Sequence, residues 1–172
     1  HEPDAALDVI HLSRETHHEH TWSFANDVFT SVNIEAHIGI GDLARAKELS
    51  AATRAPGFMT RIAMIRAALC IGDLDTAQRW LLGLERDTFL NPGALAETTL
   101  LAAWHDLSRK GALEMPQAQR VARFAQQPQH RRMFALLPEQ LCEAVRSALP
   151  ETSGDPFCAL KGSMAAFEVH AR

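Results

Sequence analysis

Tyrosine is absent from the 172 residues, and aromatic side chains of all kinds make up only 6% of them. Nowhere does an apolar run approach the roughly 18 residues of a membrane-spanning helix, so no membrane partner is expected. No basic-then-apolar leader pattern is written either. Cysteine is scarce. Cys70, Cys142 and Cys158 show no C-x-x-C spacing and, being three, cannot all pair with one another. The expectation is reduced, mostly buried thiols in a cytoplasmic protein. Positive charge is never concentrated: the formal charge is −4, and Arg131-Arg132 is the densest basic spot. That argues against a nucleic-acid partner, which calls for a basic face. Neither G-x-x-x-x-G-K-[ST] nor G-x-G-x-x-G occurs, and no G-x-S-x-G elbow presents a serine nucleophile. The expectation is therefore of a protein that is not an enzyme and carries no cofactor.

What the chain does have is helical patterning. Ala, Leu, Arg, Glu and Gln dominate, and β-branched residues never gather into an alternating run. Trp22, Ala25, Phe29, Val32 and Ala36 recur at three- and four-residue steps, the spacing of one helical face. Ile62, Ile65 and Leu69 repeat the pattern, as do Ala77, Trp80, Leu81 and Leu84, then Leu100, Ala103, Trp104 and Leu107. Pro56-Gly57, Asn91-Pro92-Gly93 and Pro128 interrupt these stripes, while Pro116 and Pro138 suit first turns. The spacing predicts helices over 4–19, 22–39, 43–54, 59–71, 74–86, 94–109, 116–126 and 131–149, the last split at Pro138. This is an all-α chain of about eight helices. A single domain over 1–150 would be followed by a linker beginning at "PETSGDPF" and a short helix or tail, together covering 151–172.

One motif is written twice. "IGDLARA" at 40–46 returns as "IGDLDTA" at 71–77, 31 residues later. Gly41 and Gly72 stand where stripes end and can take the left-handed conformation that closes a helix. Asp42 and Asp73 can then accept the free amides of the next helix. Ala46 and Ala77, three residues beyond Leu43 and Leu74, leave room for two backbones to approach. Each copy therefore reads as the tight corner of an antiparallel helix pair. Further back, Ile34 matches Ile65, Ala36 matches Ala67 and Ile38 matches Leu69 in character. A weaker third copy, centred on "KGALE", keeps Gly111 and Leu113.

These corners resemble the turn between the two helices of a tetratricopeptide repeat, where Gly-Asp followed by an aromatic residue or Leu precedes a small Ala. A similar corner occurs in the helical arrays of large bacterial ATP-dependent transcription activators. The match is clearest over residues 28–86. It departs from the family at Ile34 and Ile65, where a small residue is preferred, and at His37 and Ala68, where an aromatic is. The resemblance implies stacked antiparallel helix hairpins, a tetratricopeptide-like α-solenoid. It also implies a protein-interaction, scaffolding or regulatory role in which a groove takes a peptide or protein partner. Glu35, His37 and Arg66, on the first helices of the pairs, are the candidate partner-binding residues. An alternative reading makes the chain the helical regulatory segment of a larger transcription regulator.

A third reading comes from "HLSRETHHEH" at 11–20. On a helix, His11, Glu15 and His18 share a face, and Glu15-x-x-His18 has the spacing of di-iron bundles. Such groups could hold a transition metal. Ligands strung along one helix cannot all converge on one ion, however, and no second Glu-x-x-His exists. The expectation is a solvated helix face and no metal. Finally, the apolar stripes of the last helices raise the expectation of a homodimer.

Overall fold

The computed structural model describes residues 7–8, 23–87, 92–127, 130–134, 137–150 and 155–157. No strand is present among them. The elements are α1 (Ser23–Gly39), α2 (Leu43–Ala52), α3 (Phe58–Ile71), α4 (Leu74–Asp87), α5 (Pro92–Lys110), α6 (Met115–Ala125), α7 (Arg131–Phe134) and α8 (Glu139–Ala148). The all-α expectation holds, and the chain breaks at Gly41, Pro56-Gly57 and Gly72 as expected, whereas Pro92 and Gly93, expected to precede a helix, begin α5. Pro116 lies in the first turn of α6, and Pro138 caps α8 after the short α7. Of the helix expected over 4–19 only residues 7–8 are described, and both are helical; the terminal helix expected within 159–171 lies outside the described residues. No helix among the described residues is long and apolar enough to cross a membrane. Two compact units divide after Asp87, α1–α4 forming the first and α5–α8 the second.

In the first unit the two Gly-Asp corners share one set of bonds. Gly41 has φ +79° and Gly72 φ +82°, both left-handed. The amide of Asp42 donates to the carbonyl of His37 at 2.9 Å, and that of Asp73 to Ala68 at 2.9 Å. Leu43 and Leu74 donate to Gly41 and Gly72 at 2.9 and 3.0 Å, and Ala46 and Ala77 both donate to the capping aspartate's carbonyl at 3.1 Å. Asp42 Oδ1 accepts from the Arg45 amide at 3.0 Å, and Asp73 Oδ1 from the Thr76 amide at 3.1 Å. Ala46 and Ala77 are wholly buried. Equivalent residues share burial as well: Ile34 and Ile65 are wholly buried, while Ile40 and Ile71 stay 43% and 36% exposed.

Helix α3 is the centre of this unit. Nine of its residues are buried, from Thr60 through Leu69, on every side of the helix. A helix apolar all round belongs inside, and α1, α2 and α4 all pack against it. Ile34, Ala46, Ala63, Met64 and Ala67 form one cluster, with Ile38, Leu49 and Trp80 packed on it. Alanine at three of those five places lets the helices come close.

The start of α3 is capped from another helix. Its N-cap is Gly57, which has no side chain to offer. Asp27 of α1 supplies the missing acceptor, taking the Met59 amide on Oδ2 and the Thr60 amide on Oδ1, both at 3.0 Å. The Thr60 hydroxyl also donates to the Asp27 carbonyl at 3.0 Å. A Cβ on Gly57 would overlap the Asp27 carboxyl group. Glycine is there because the carboxylate occupies that space.

In the second unit α6 packs on α5 and α8, and α5 also meets α8. Gly111 is again left-handed, with φ +74°, but α6 begins four residues later and its N-cap, Glu114, makes no side-chain cap bond. The third corner thus keeps the helix stop and lacks the Asp-capped restart. Phe157 is 1% exposed and packs against Phe134, the rings tilted by 59° with centroids 5.8 Å apart. The Arg146 guanidinium lies 5.1 Å from its ring centroid, and Asp155 accepts from both Arg146 Nε (3.2 Å) and the Phe157 amide (3.0 Å). The end of "PETSGDPF" is therefore fastened to this unit.

Gly57→Ala is expected to destabilise the protein by about 1–3 kcal/mol through that overlap, and Asp27→Ala by about 0.5–2 kcal/mol through the lost cap. Urea denaturation should show the double variant losing clearly less than the sum, because Asp27→Ala clears the space. A second test uses pH. The Thr76 amide, then its hydroxyl, hold the Asp73 carboxyl below the ordinary aspartate range. A carboxyl more acidic in the folded than in the unfolded chain stabilises the fold above about pH 4, and the contribution disappears as pH falls through the folded value. The stability difference between wild type and Asp73→Asn should accordingly shrink between pH 6 and pH 3.

Candidate functional site

Of the residues that sequence spacing put on a partner-binding face, two meet each other. Arg66 is buried, with 5% of its side chain exposed, and its Nη1 is ion-paired with Glu35 Oε1. The pair spans 31 residues, the interval between the two motifs. With Asp27 near the start of α1 meeting the start of α3, and Glu35 meeting Arg66 further along both, the two helices run parallel and in register. The arginine is half of a contact between hairpins, and its guanidinium faces little solvent. His37 is elsewhere: its Nδ1 lies 3.5 Å from Asp42 Oδ2 at the first corner. No group of three or more His, Cys, Asp or Glu among the described residues could hold a metal. His11, Glu15 and His18 lie outside the described residues.

The open concave feature of the first unit is on the other side of α3. A groove of about 340 Å³ runs between α2 and α4, with α3 as its floor. Met64, Ala67 and Ala68 make the floor, and Ile71 closes one end. Lys47, Ser50, Ala51 and Thr53 form the α2 wall; Asp73, Thr76 and Trp80 form the wall opposite. The groove exists because small side chains face it. Ala51, Ala67 and Ala68 fill too little volume to bring α2 and α4 together above α3. Its lining is mostly apolar, and its volume lies at the lower end of the about 300–1,000 Å³ typical of ligand clefts.

The polar groups on its rim are not equivalent. Ser50 Oγ donates to the Ala46 carbonyl at 2.8 Å and Thr53 Oγ1 to the Leu49 carbonyl at 2.9 Å. With the proton of each committed to the helix, both oxygens are left as acceptors. Thr76 Oγ1 already accepts from Arg79 at 2.9 Å. Asp73 is tied to the Thr76 amide, and Lys47 and Arg79 help keep it ionised. Lys47 is exposed and makes no ion pair among the described residues. Sequence spacing missed this site. Its sign was the run of small residues on α2 and α3, which reads equally well as close packing.

The thiols fit the sequence reading. Cys142 is buried and Cys70 half-buried, and burial pushes both above the ordinary thiol range, Arg66 opposing this at Cys70 and Arg146 at Cys142. Neither is an activated nucleophile. Cys158 lies outside the described residues. In the second unit, a groove of similar volume is lined by Trp104 and Leu107 of α5 and by Glu143 and Ser147 of α8. Thr98, His105 and His130 are buried there, and each has a buried polar atom without a hydrogen-bond partner among the described residues.

Glu35→Ala leaves Arg66 buried without that carboxylate. The expected loss is roughly 2–3 kcal/mol, below the about 3–5 kcal/mol of fully buried pairs because Glu35 is partly solvated. Adding Arg66→Met should restore part of the stability in urea denaturation, an outcome that a purely steric role for Glu35 does not give.

No family model matches the chain, and neither a curated protein nor a solved structure shows significant similarity to it.

Proposed function

We propose that the first unit is a protein-interaction module of tetratricopeptide-like helix hairpins, and that it binds a short segment of a partner protein. The observation that carries this reading is the pair of Gly-Asp corners, matched bond for bond 31 residues apart. Hairpins repeated in register expose a surface whose residues can change without disturbing the core. The apolar, half-open groove over α3 is the place where such a segment would dock. Glu35 and Arg66 then hold adjacent hairpins in phase, and His37 supports the first corner, so these three shape the binding surface from behind.

Selection from a random peptide display library on the full-length chain tests the proposal. Ala51 lines the groove yet is exposed to solvent, so Ala51→Phe fills the groove without burying a new side chain in the core. Selected peptides should bind wild type and lose at least about ten-fold in affinity on the Ala51→Phe protein, whose circular dichroism and melting should stay unchanged. A library yielding no peptide that distinguishes the two proteins would overturn the reading.

A further inference from the structure

We infer that the exposed face of α6, in the second unit, binds an acidic polypeptide segment lying extended along the helix. An apolar side chain of that segment sits on Met115, and carboxylates two and four residues further on pair with Arg120 and Arg123. The α2–α4 groove plays no part in it.

Carboxylates are unevenly spread along the chain. Between Glu114 and Glu139 the sequence has none, although the chain holds 21 Asp and Glu. The same stretch carries four arginines, at 120, 123, 131 and 132, in a chain of net charge −4. The equally acid-free stretch between Glu48 and Asp73 is mostly buried α3, and its Arg66 already has Glu35.

Helix α6 turns this composition into a face. Ala118, Val121, Ala122 and Ala125 are buried where α6 packs on α5 and α8. Met115, Gln119, Arg120, Arg123 and Gln126 are exposed. Met115 is the apolar member, at 53% exposure. Arg120 and Arg123, one turn apart, make no ion pair among the described residues. The carboxylates nearest in sequence are engaged elsewhere: Asp106 accepts from Gln117 and faces Lys110, which also faces Glu114. An incoming carboxylate therefore adds charge-assisted bonds without breaking an existing pair, and a guanidinium can take it with two parallel bonds.

Spacing fixes the order of the ligand's groups. A helix rises about 1.5 Å per residue, so Arg120 and Arg123 stand about 7.5 and 12 Å along the axis from Met115. An extended chain advances about 3.3 Å per residue and sends alternate side chains to one side. Residues two and four places after the apolar anchor then lie about 6.6 and 13 Å along, beside the two arginines. The amides of Gln119 and Gln126 offer donors and acceptors to the backbone of such a segment.

Polypeptide is favoured over nucleic acid. Duplex binding is built from many phosphate contacts, on the order of six to ten, and this stretch has four arginines. The chain's net negative charge repels a long polyanion, whereas a short segment feels mainly the guanidinium groups within a Debye length of about 8 Å. Single strands need exposed rings for their bases, and Phe124 is half-buried with its ring edge-on to His130.

The test is an NMR titration of the isotope-labelled full-length chain with the peptide Gly-Ser-Leu-Ser-Glu-Ser-Glu-Ser-Gly. Its controls are the same peptide with both Glu changed to Gln, the rearranged Gly-Ser-Leu-Glu-Glu-Ser-Ser-Ser-Gly, and a short DNA duplex. Arg120 and Arg123 are exposed, so the double variant Arg120→Gln/Arg123→Gln should keep the wild-type melting curve. The expected shifts centre on Met115 to Gln126. Affinity should fall at least about five-fold on the double variant and for the Gln peptide, and it should weaken between about 0.05 and 0.5 M salt. The rearranged peptide should bind at least about two-fold more weakly, because its second carboxylate falls short of Arg123 by about 3.3 Å. Absence of shifts on α6, or binding that ignores the double variant, would overturn the inference. Equal affinity for the rearranged peptide would reduce it to unspecific charge attraction and overturn it too. A duplex that shifts this face at lower concentration than the peptide would overturn the polypeptide assignment.

Discussion

The packing of α1 against α3 is the contact on which the rest of the first unit depends. It is made at two places. Near the start of both helices, Asp27 caps α3 through the Met59 and Thr60 amides; further along, Glu35 pairs with Arg66. Two polar clamps at different heights fix both the direction and the register of one helix on the other, which apolar packing alone leaves free to slide. Each clamp needs its partner. A helix N-terminus buried without acceptors, or a buried guanidinium without its carboxylate, costs several kcal/mol of desolvation. Register is therefore strongly specified.

The corners make that register possible. A helix that ends on a left-handed glycine and restarts on the next residue's carboxylate turns back within a few residues, so the two corners have the same bonding. Ala46 and Ala77 let the returning helix lie close. With α1 and α3 parallel, Glu35 and Arg66, 31 residues apart, meet across the contact between them. The third corner, at Gly111, has the stop without the immediate restart, and it belongs to the second unit, where α6, α5 and α8 pack together.

The groove follows from the same arrangement. Second helices α2 and α4 both lie on α3, and their separation is set by α3 and by the corners. Small side chains at 51, 67 and 68 then leave a trough with an apolar floor. Its rim carries Lys47 and Asp73, which act on each other across the groove, and the hydroxyls of Ser50 and Thr53, both bonded to their own helix. On the first-helix side, by contrast, Glu35 and Arg66 pair with each other.

Sequence alone determined the elements. Helical periodicity, proline and glycine punctuation and the Gly-Asp spacing act over a few residues, so helix ends and both corners could be read from residue order. It also placed Glu35 and Arg66 at equivalent repeat positions. What it did not contain was whether those positions face solvent or each other, because that depends on the lateral approach of α1 and α3. The role of Gly57 was hidden for the same reason: its need for glycine comes from Asp27, thirty residues away. The trough over Ala67 and Ala68 likewise arises only when three helices are assembled, since small residues promote contact in one geometry and leave space in another. Local chemistry wrote the helices and their turns, and only tertiary packing decided which charges are buried and where a groove stays open.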